Sequence, residues 1–450
     1  MMTAISRYGA RVLPDTQQLI ARCRARDELV RGPQIAAFER TFEARAGRGR
    51  AISTSFGRTA FYHMLEALDF PPGSEIILPS LTFWVVPELA RVAGLTVVFA
   101  DVDPQTFNLD LDSVERLITA QTRAIVPTHL YGLPCDMDSI LAIAARHNLV
   151  VLEDCAHALG ATYKGRPVGT FGAGAFFSFQ TLKPLNCYGG GMALIHDTAL
   201  AAKVRRRVNV LRWPSEKRVA TRLAVGRLQR IFIRPRVFSF SLFPILWVSS
   251  FTGTQPDVFL WEKIRALNPL PDSYLERFPN VQAAIGLEAL RRLDGWTSEA
   301  QENARYMSRA LGSLPGVRVP HVPPDRTHVY YQYCVYGPGG RSRDDLVDGC
   351  VRRGIDIETL HVDVPPDLEL FRGARAEAVG ACCAARAIQI PVYAGLTEEE
   401  ITKVAATVGR VLADTPKAGL KAWATGRLSR RAGRAVRTSE SSRSPSSAAR

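Results

Sequence analysis

A chain of 450 residues exceeds one typical domain and suits a large domain joined to a smaller one. With 46% apolar and 22% charged residues it has the composition of a folded globular protein, which excludes a wholly disordered chain. The formal charge of +14 is concentrated in two short segments: residues 203–236 hold twelve Lys/Arg against Glu216 alone, and residues 416–450 hold nine against Glu440 alone, leaving a mildly acidic body.

Of eight cysteines only Cys382 and Cys383 are close in sequence, and adjacent cysteines are poor zinc ligands. No metal site is expected, and the set reads as reduced thiols of a cytoplasmic protein. The first twenty residues lack the continuous apolar stretch of a secretory leader.

Residues 1–32 form a polar lead-in. Residues 33–47 predict an amphipathic helix with Ile35, Phe38, Phe42 and Ala46 on one side. A short strand then runs into a turn and a helix that opens at Gly57 and Arg58, and a second strand over residues 75–79 precedes Thr82, Phe83 and Trp84. Further strands and turns are expected from residue 97 to 103 and over the run 124–132. Strands alternating with helical stretches over residues 50–195 predict an α/β domain, its sheet mainly parallel and covered on both faces by helices.

Residues 149–152 have the length and β-branched content of a buried parallel strand, and the carboxylates Glu153 and Asp154 follow at once. Function in open α/β sheets collects at such strand ends. A second apolar strand over residues 175–179 carries Ser178, and Lys183 and the glycines Gly189, Gly190 and Gly191 come after it.

Residues 203–273 are basic and aromatic. Val225, Leu228 and Phe232 recur as one helical stripe, with Arg227, Arg230 and Arg234 on the opposing face. From Val237 to Pro256 there is no charge, but Pro244 and several serines make the run too broken for a transmembrane helix. Two readings stay open for residues 218–256: peripheral contact with a membrane surface, or packing over the active-site mouth or a dimer seam. The tail beyond residue 413 alternates Arg with Ser, Ala and Gly and reads as disordered. No recognisable nucleic-acid-binding fold accompanies it, so no specific nucleic-acid partner is expected.

The acid at 154, the run Phe177-Ser178-Phe179, Lys183 and the glycine turn together resemble the DegT/StrS-type family of pyridoxal-phosphate (PLP) sugar aminotransferases. The resemblance covers roughly residues 33–413, interrupted by one insertion. It implies a fold type I aminotransferase with a large PLP-binding domain at 33–202, the insertion at 203–273, a smaller α/β domain at 274–413 and the tail at 414–450. By the family pattern Lys183 would carry the cofactor as a Schiff base, Asp154 would pair with the pyridine nitrogen and Ser178 would bind the phosphate. His157 stands where glutamine is usual, beside the ring hydroxyl. The backbone at Gly57 would bind the phosphate at a helix start, and Phe83 would stack on the ring. Arg58 replaces a threonine, either as a charge-assisted phosphate contact or as a plain surface arginine. His361 matches a substrate position.

One departure is Leu275, which occupies the place of an asparagine that reaches the partner subunit's phosphate in the family. Arg58 or Arg277 would then supply that contact, or phosphate binding is weaker. The resemblance further implies a homodimer, glutamate or glutamine as amino donor, and a keto-sugar acceptor, usually nucleotide-linked. Two other readings are a PLP-dependent sugar dehydratase, against which Lys183 speaks because such members can have histidine there, and a non-catalytic regulatory or membrane-associated homologue.

Overall fold

The computed structural model describes residues 3–9, 13–252, 262–338, 343–359 and 362–413. His361, the last part of the 218–256 segment and the tail lie outside the described residues.

The large sheet grows from the strands the apolar runs predict. In chain order they are β1 (Arg50–Thr54), β2 (Glu75–Pro79), β3 (Thr96–Ala100), β4 (Thr122–Ile125) and β5 (Val150–Asp154). A small hairpin, β6 (Thr162–Tyr163) and β7 (Arg166–Pro167), precedes β8 (Gly174–Ser178) and β9 (Gly191–Ile195). Five short strands follow: β10 (Arg326–Thr327), β11 (Tyr333–Val335), β12 (Glu358–Thr359), β13 (Arg375–Ala376) and β14 (Ile388–Ile390). Eight of these join in the order β1-β9-β8-β5-β4-β2-β3-β13. Every pair from β8 to β13 is parallel, and only β9 runs against its neighbours. The sheet is thus mixed and mostly parallel, as the alternation of strands and helices predicts.

Alternate side chains of each strand enter different cores, as a period of two requires. Ile76 and Leu78 pack with α3 (Gly57–Leu68) and α4 (Val85–Val92), whereas Ile77 packs on the opposite face with Ile140 and Ile143 of the helix Met137–His147. Phe176 and Phe177 divide in the same way, Phe177 meeting Phe42 of the amphipathic helix Gln34–Ala46 at 4.9 Å between ring centres. Both faces being buried explains why the strands read as continuous apolar runs.

A long helix, Asn280–Gly312, leads to a smaller unit in which β11, β14 and β12 form an antiparallel sheet against the helices Arg343–Val351 and Glu398–Ala413. The chain does not keep its two units separate in sequence. Strand β13 returns to the edge of the large sheet, and the lead-in packs on the small one, where Arg7 donates to Asp356 and its guanidinium pairs with Glu358.

In the described part of the basic insertion the end of the helix Thr198–Asn209 is followed by the helices Glu216–Phe232, Pro235–Phe240 and Phe243–Thr252. The helix Glu216–Phe232 keeps Val225 and Leu228 of its apolar stripe on the outside. Val219, Leu223, Gly226 and Arg230 are its buried face, while Val225, Leu228 and Ile231 face outward. Gly226 leaves no room for a Cβ, which would stand 2.4 Å from the Tyr188 ring, and Arg230 donates to the Thr181 carbonyl at 2.9 Å. Close approach and a buried hydrogen bond decide the docking face here, not the apolar stripe. Phe238 and Leu246 of the next two helices enter the core of the smaller unit.

Candidate active site

The C-terminal ends of β1, β2, β4, β5 and β8 all open on one side of the sheet, and a cavity of about 360 Å³ lies there. These five strands run in one direction, β1 through the intervening antiparallel β9, which brings their ends together although the residues they carry are far apart in sequence. Gly57, Arg58, Phe83, Asp154, His157, Ser178 and Lys183 all line this cavity. Seven of the eight residues picked out by sequence therefore share one space, and the eighth, His361, lies outside the described residues. Trp84, Phe83's neighbour, is instead buried in the core under α4.

Asp154 ends β5 and is buried; it accepts a hydrogen bond from the Ala156 N–H at 2.9 Å. Burial pushes its pKa up to about 6, against the pull of that N–H and of Lys183 and His129. Enclosure acts on Lys183 in the opposite sense, bringing its amine down to about 7. Asp154 pulls that value up and the Arg58 guanidinium pushes it down. The amine lies 4.8 Å from the centre of the Tyr331 ring. Burial thus displaces both groups toward neutrality, and the charge of each opposes the other's shift.

The neighbouring carboxylate has a different task. Glu153 is fully buried and accepts from the N–H groups of Gly169, Phe171 and Gly172 at 2.7–2.8 Å, with His129 Nε2 at 3.2 Å. It ties the loop after β7 to the sheet. Burial alone would raise its pKa, but His129 and these N–H groups hold it below the usual carboxylate range. His129, Glu153 and Cys155 are close enough to suggest a metal site. The geometry spends their atoms internally: His129 Nδ1 accepts from the Cys135 N–H at 3.0 Å while its other nitrogen faces Glu153.

One wall of the cavity is the start of α3. Gly57 must be glycine, because a Cβ would stand 2.6 Å from the Phe177 carbonyl oxygen. Gly191 is under the same constraint, its Cβ falling 2.1 Å from the Gly57 nitrogen. The two glycines let the first turn of α3 press against β8 and β9, which sets the start of the helix beside Ser178 at the end of β8 in the cavity wall. Beside it, Arg58 is held by Glu262 at 2.6 Å and by the Phe56 and Tyr274 rings at 4.6 and 4.8 Å from its guanidinium. Tyr274 in turn donates to Glu262. Arg277 does not line the cavity; its guanidinium packs on Trp213 at 4.0 Å. Among the described residues Arg58 is the one arginine that lines the cavity.

On the other side His157 is stacked between aromatic rings, 4.3 Å from Tyr331 and 6.1 Å from Tyr131, and its Nδ1 faces the Tyr131 N–H at 3.4 Å. Sequence reasoning missed Tyr331, Glu262 and Gln229, which also line the cavity. No local pattern marks them. Tyr331 comes from the segment before β11, Gln229 from the basic helix and Glu262 from the end of the insertion.

The sequence profile of the DegT/DnrJ/EryC1/StrS aminotransferase family matches residues 13–229 and 257–409. The chain is 34% identical over 389 residues to the GDP-perosamine synthase of Caulobacter vibrioides, covering 85% of this chain and 91% of that protein. It is 27% identical to a UDP-N-acetyl-3-dehydro-alpha-D-glucosamine 3-aminotransferase of Acidithiobacillus ferrooxidans, over 85% of this chain and 89% of that one. Among solved structures, DesV from S. venezuelae superposes with a TM-score of 0.73 at 26% identity, covering 92% of this chain and all of DesV.

Proposed function

Because this chain belongs to the DegT/DnrJ/EryC1/StrS aminotransferase family, a PLP-dependent family, we propose that it moves an amino group from glutamate or glutamine to a nucleotide-linked keto-sugar. The observation that carries this reading is the shared cavity of Lys183 and Asp154, an amine brought down to about 7 beside a buried acid.

The residues lining the cavity suit PLP. A phosphate fits the start of α3 at Gly57, with Ser178 and the cationic Arg58 beside it. Phe83 offers a flat apolar surface to an aromatic ring, and Asp154 offers a carboxylate to a ring nitrogen. When bound, PLP supplies the electron sink that makes amino-group transfer possible. Lys183, neutral over much of the range near pH 7, can attack a carbonyl carbon and afterwards hold and return the substrate proton at Nζ. Asp154 in its ionised form keeps a partner nitrogen protonated. The rings of His157, Tyr131 and Tyr331 restrict water on one side. We read the protein as a cytoplasmic homodimer; no helix among the described residues is long and apolar enough to cross a membrane.

The test is chemical. Purified protein supplied with PLP should develop a visible absorption band, and borohydride should fix the cofactor on the peptide that contains Lys183. With labelled glutamate and a panel of nucleotide keto-sugars the wild type should label one sugar, and Lys183→Ala none. A Lys183→Ala variant that still aminates would overturn the proposed roles.

A further inference from the structure

The family profile stops at residue 229 and resumes at 257, so the helices Pro235–Phe240 and Phe243–Thr252 are outside the matched part of the chain. They contribute no residue to the cavity. What they do present is an apolar surface. Phe240 is 70% exposed and Phe251 58%, with Ile245, Trp247 and Val248 also exposed beside them. The outward stripe of the preceding helix, Val225, Leu228 and Ile231, adds to the exposed apolar side chains of this segment.

The helix Phe243–Thr252 is apolar nearly all round, and one face is already satisfied. Leu246 and Ser250 are buried against the smaller unit, where Arg352 donates to the Ser250 carbonyl. At 100° per residue, Ile245, Trp247, Val248 and Phe251 fall on the other side of the same helix. A helix in water should be polar there. An apolar face of this kind in a charge-free run calls for an apolar medium or a partner.

Charge chooses between the two. Residues 225–251 contain four Arg and no Asp or Glu; Arg230 is buried, whereas Arg234 and Arg236, at the start of the exposed run, are exposed. A second copy meeting this face about a two-fold axis would bring the same cations together with no acid from the segment to answer them. An anionic lipid surface answers both features at once, taking the rings at the level of the headgroups and the guanidiniums against the phosphates. We propose that residues 225–251 form a docking surface for an anionic lipid bilayer, on which the enzyme lies without crossing it. The proposal is independent of which sugar is aminated.

The full-length, PLP-loaded enzyme should pellet with vesicles of phosphatidylcholine containing phosphatidylglycerol, and far less with phosphatidylcholine alone. Added salt should release it. Substituting Arg234→Gln and Arg236→Gln together should weaken binding about 25-fold, from about fivefold for each cation near the surface. Phe240→Ser with Trp247→Ser and Phe251→Ser should abolish pelleting while the cofactor absorption band stays, which separates loss of docking from loss of folding. Equal pelleting by wild type and both variants overturns the proposal. So does a wild type that ignores vesicles but falls to a smaller oligomer in light scattering when the three aromatics are replaced, since that result assigns the face to a second copy.

Discussion

Lys183 and its two charged neighbours pull against each other, and that makes the site's pH behaviour testable. Arg58 lowers the lysine pKa and Asp154 raises it, on top of the burial that brings it to about 7. Only the neutral amine can capture the cofactor aldehyde, so the rate at which the cofactor-free enzyme takes up PLP should rise with pH and level off above about 7. In Arg58→Gln the inflection should move to higher pH, and in Asp154→Asn to lower pH, whatever happens to the maximal rate. Stopped-flow absorbance across a pH series reads all three, and a common inflection would remove both neighbours from the account. The choice of Asp154 over the adjacent Glu153 for this pairing came from a family resemblance, and the geometry gives a physical reason for it. Successive residues of a strand point to opposite faces, so one acid meets the cavity and the other meets the loop at residues 169–172.

At the scale of elements, Glu153 and Gly57 set how strands and helix sit around the cavity. Glu153→Gln puts an amide NH₂ among N–H donors and should cost about 1–3 kcal/mol of unfolding free energy. The sign with pH follows from its depressed pKa. Its contribution is present above the unfolded carboxylate value and is lost as the pH falls through the lower folded one, so wild type and variant should converge in acid. Urea unfolding at neutral and acid pH checks this, and the cofactor band should survive the substitution. Gly57→Ala acts on the site directly. A methyl group 2.6 Å from the Phe177 carbonyl oxygen must push the start of α3 off β8, costing about 1–3 kcal/mol by overpacking. Affinity for PLP should fall more than stability, because the N–H groups that suit the phosphate move with the helix. Equilibrium titration of the cofactor band measures the difference. In the insertion helix the stripe of Val225 and Leu228, for which the sequence left both membrane contact and packing open, stays outside, and Val219, Leu223, Gly226 and Arg230 form the side that packs.

For the molecule as a whole, light scattering of the purified enzyme should give twice the chain mass if the proposed homodimer forms. A monomer with full activity would remove the subunit-seam site that the family resemblance implies.

Apolar runs, the acid and lysine that follow them, and the glycine turn are local features; the runs were enough to predict a mostly parallel α/β sheet, while the seven cavity residues came from the family resemblance that the acid, lysine and glycine turn carry. A strand's burial on both faces leaves its mark within five consecutive residues, so it can be read without knowing the neighbours. Tyr331, Glu262 and Gln229 left no such mark, and neither did the return of Arg375–Ala376 to the edge of the large sheet. These depend on how distant segments meet. Close approach at Gly57, Gly191 and Gly226 is a property of pairs of elements, and only packing in three dimensions decides which pairs form.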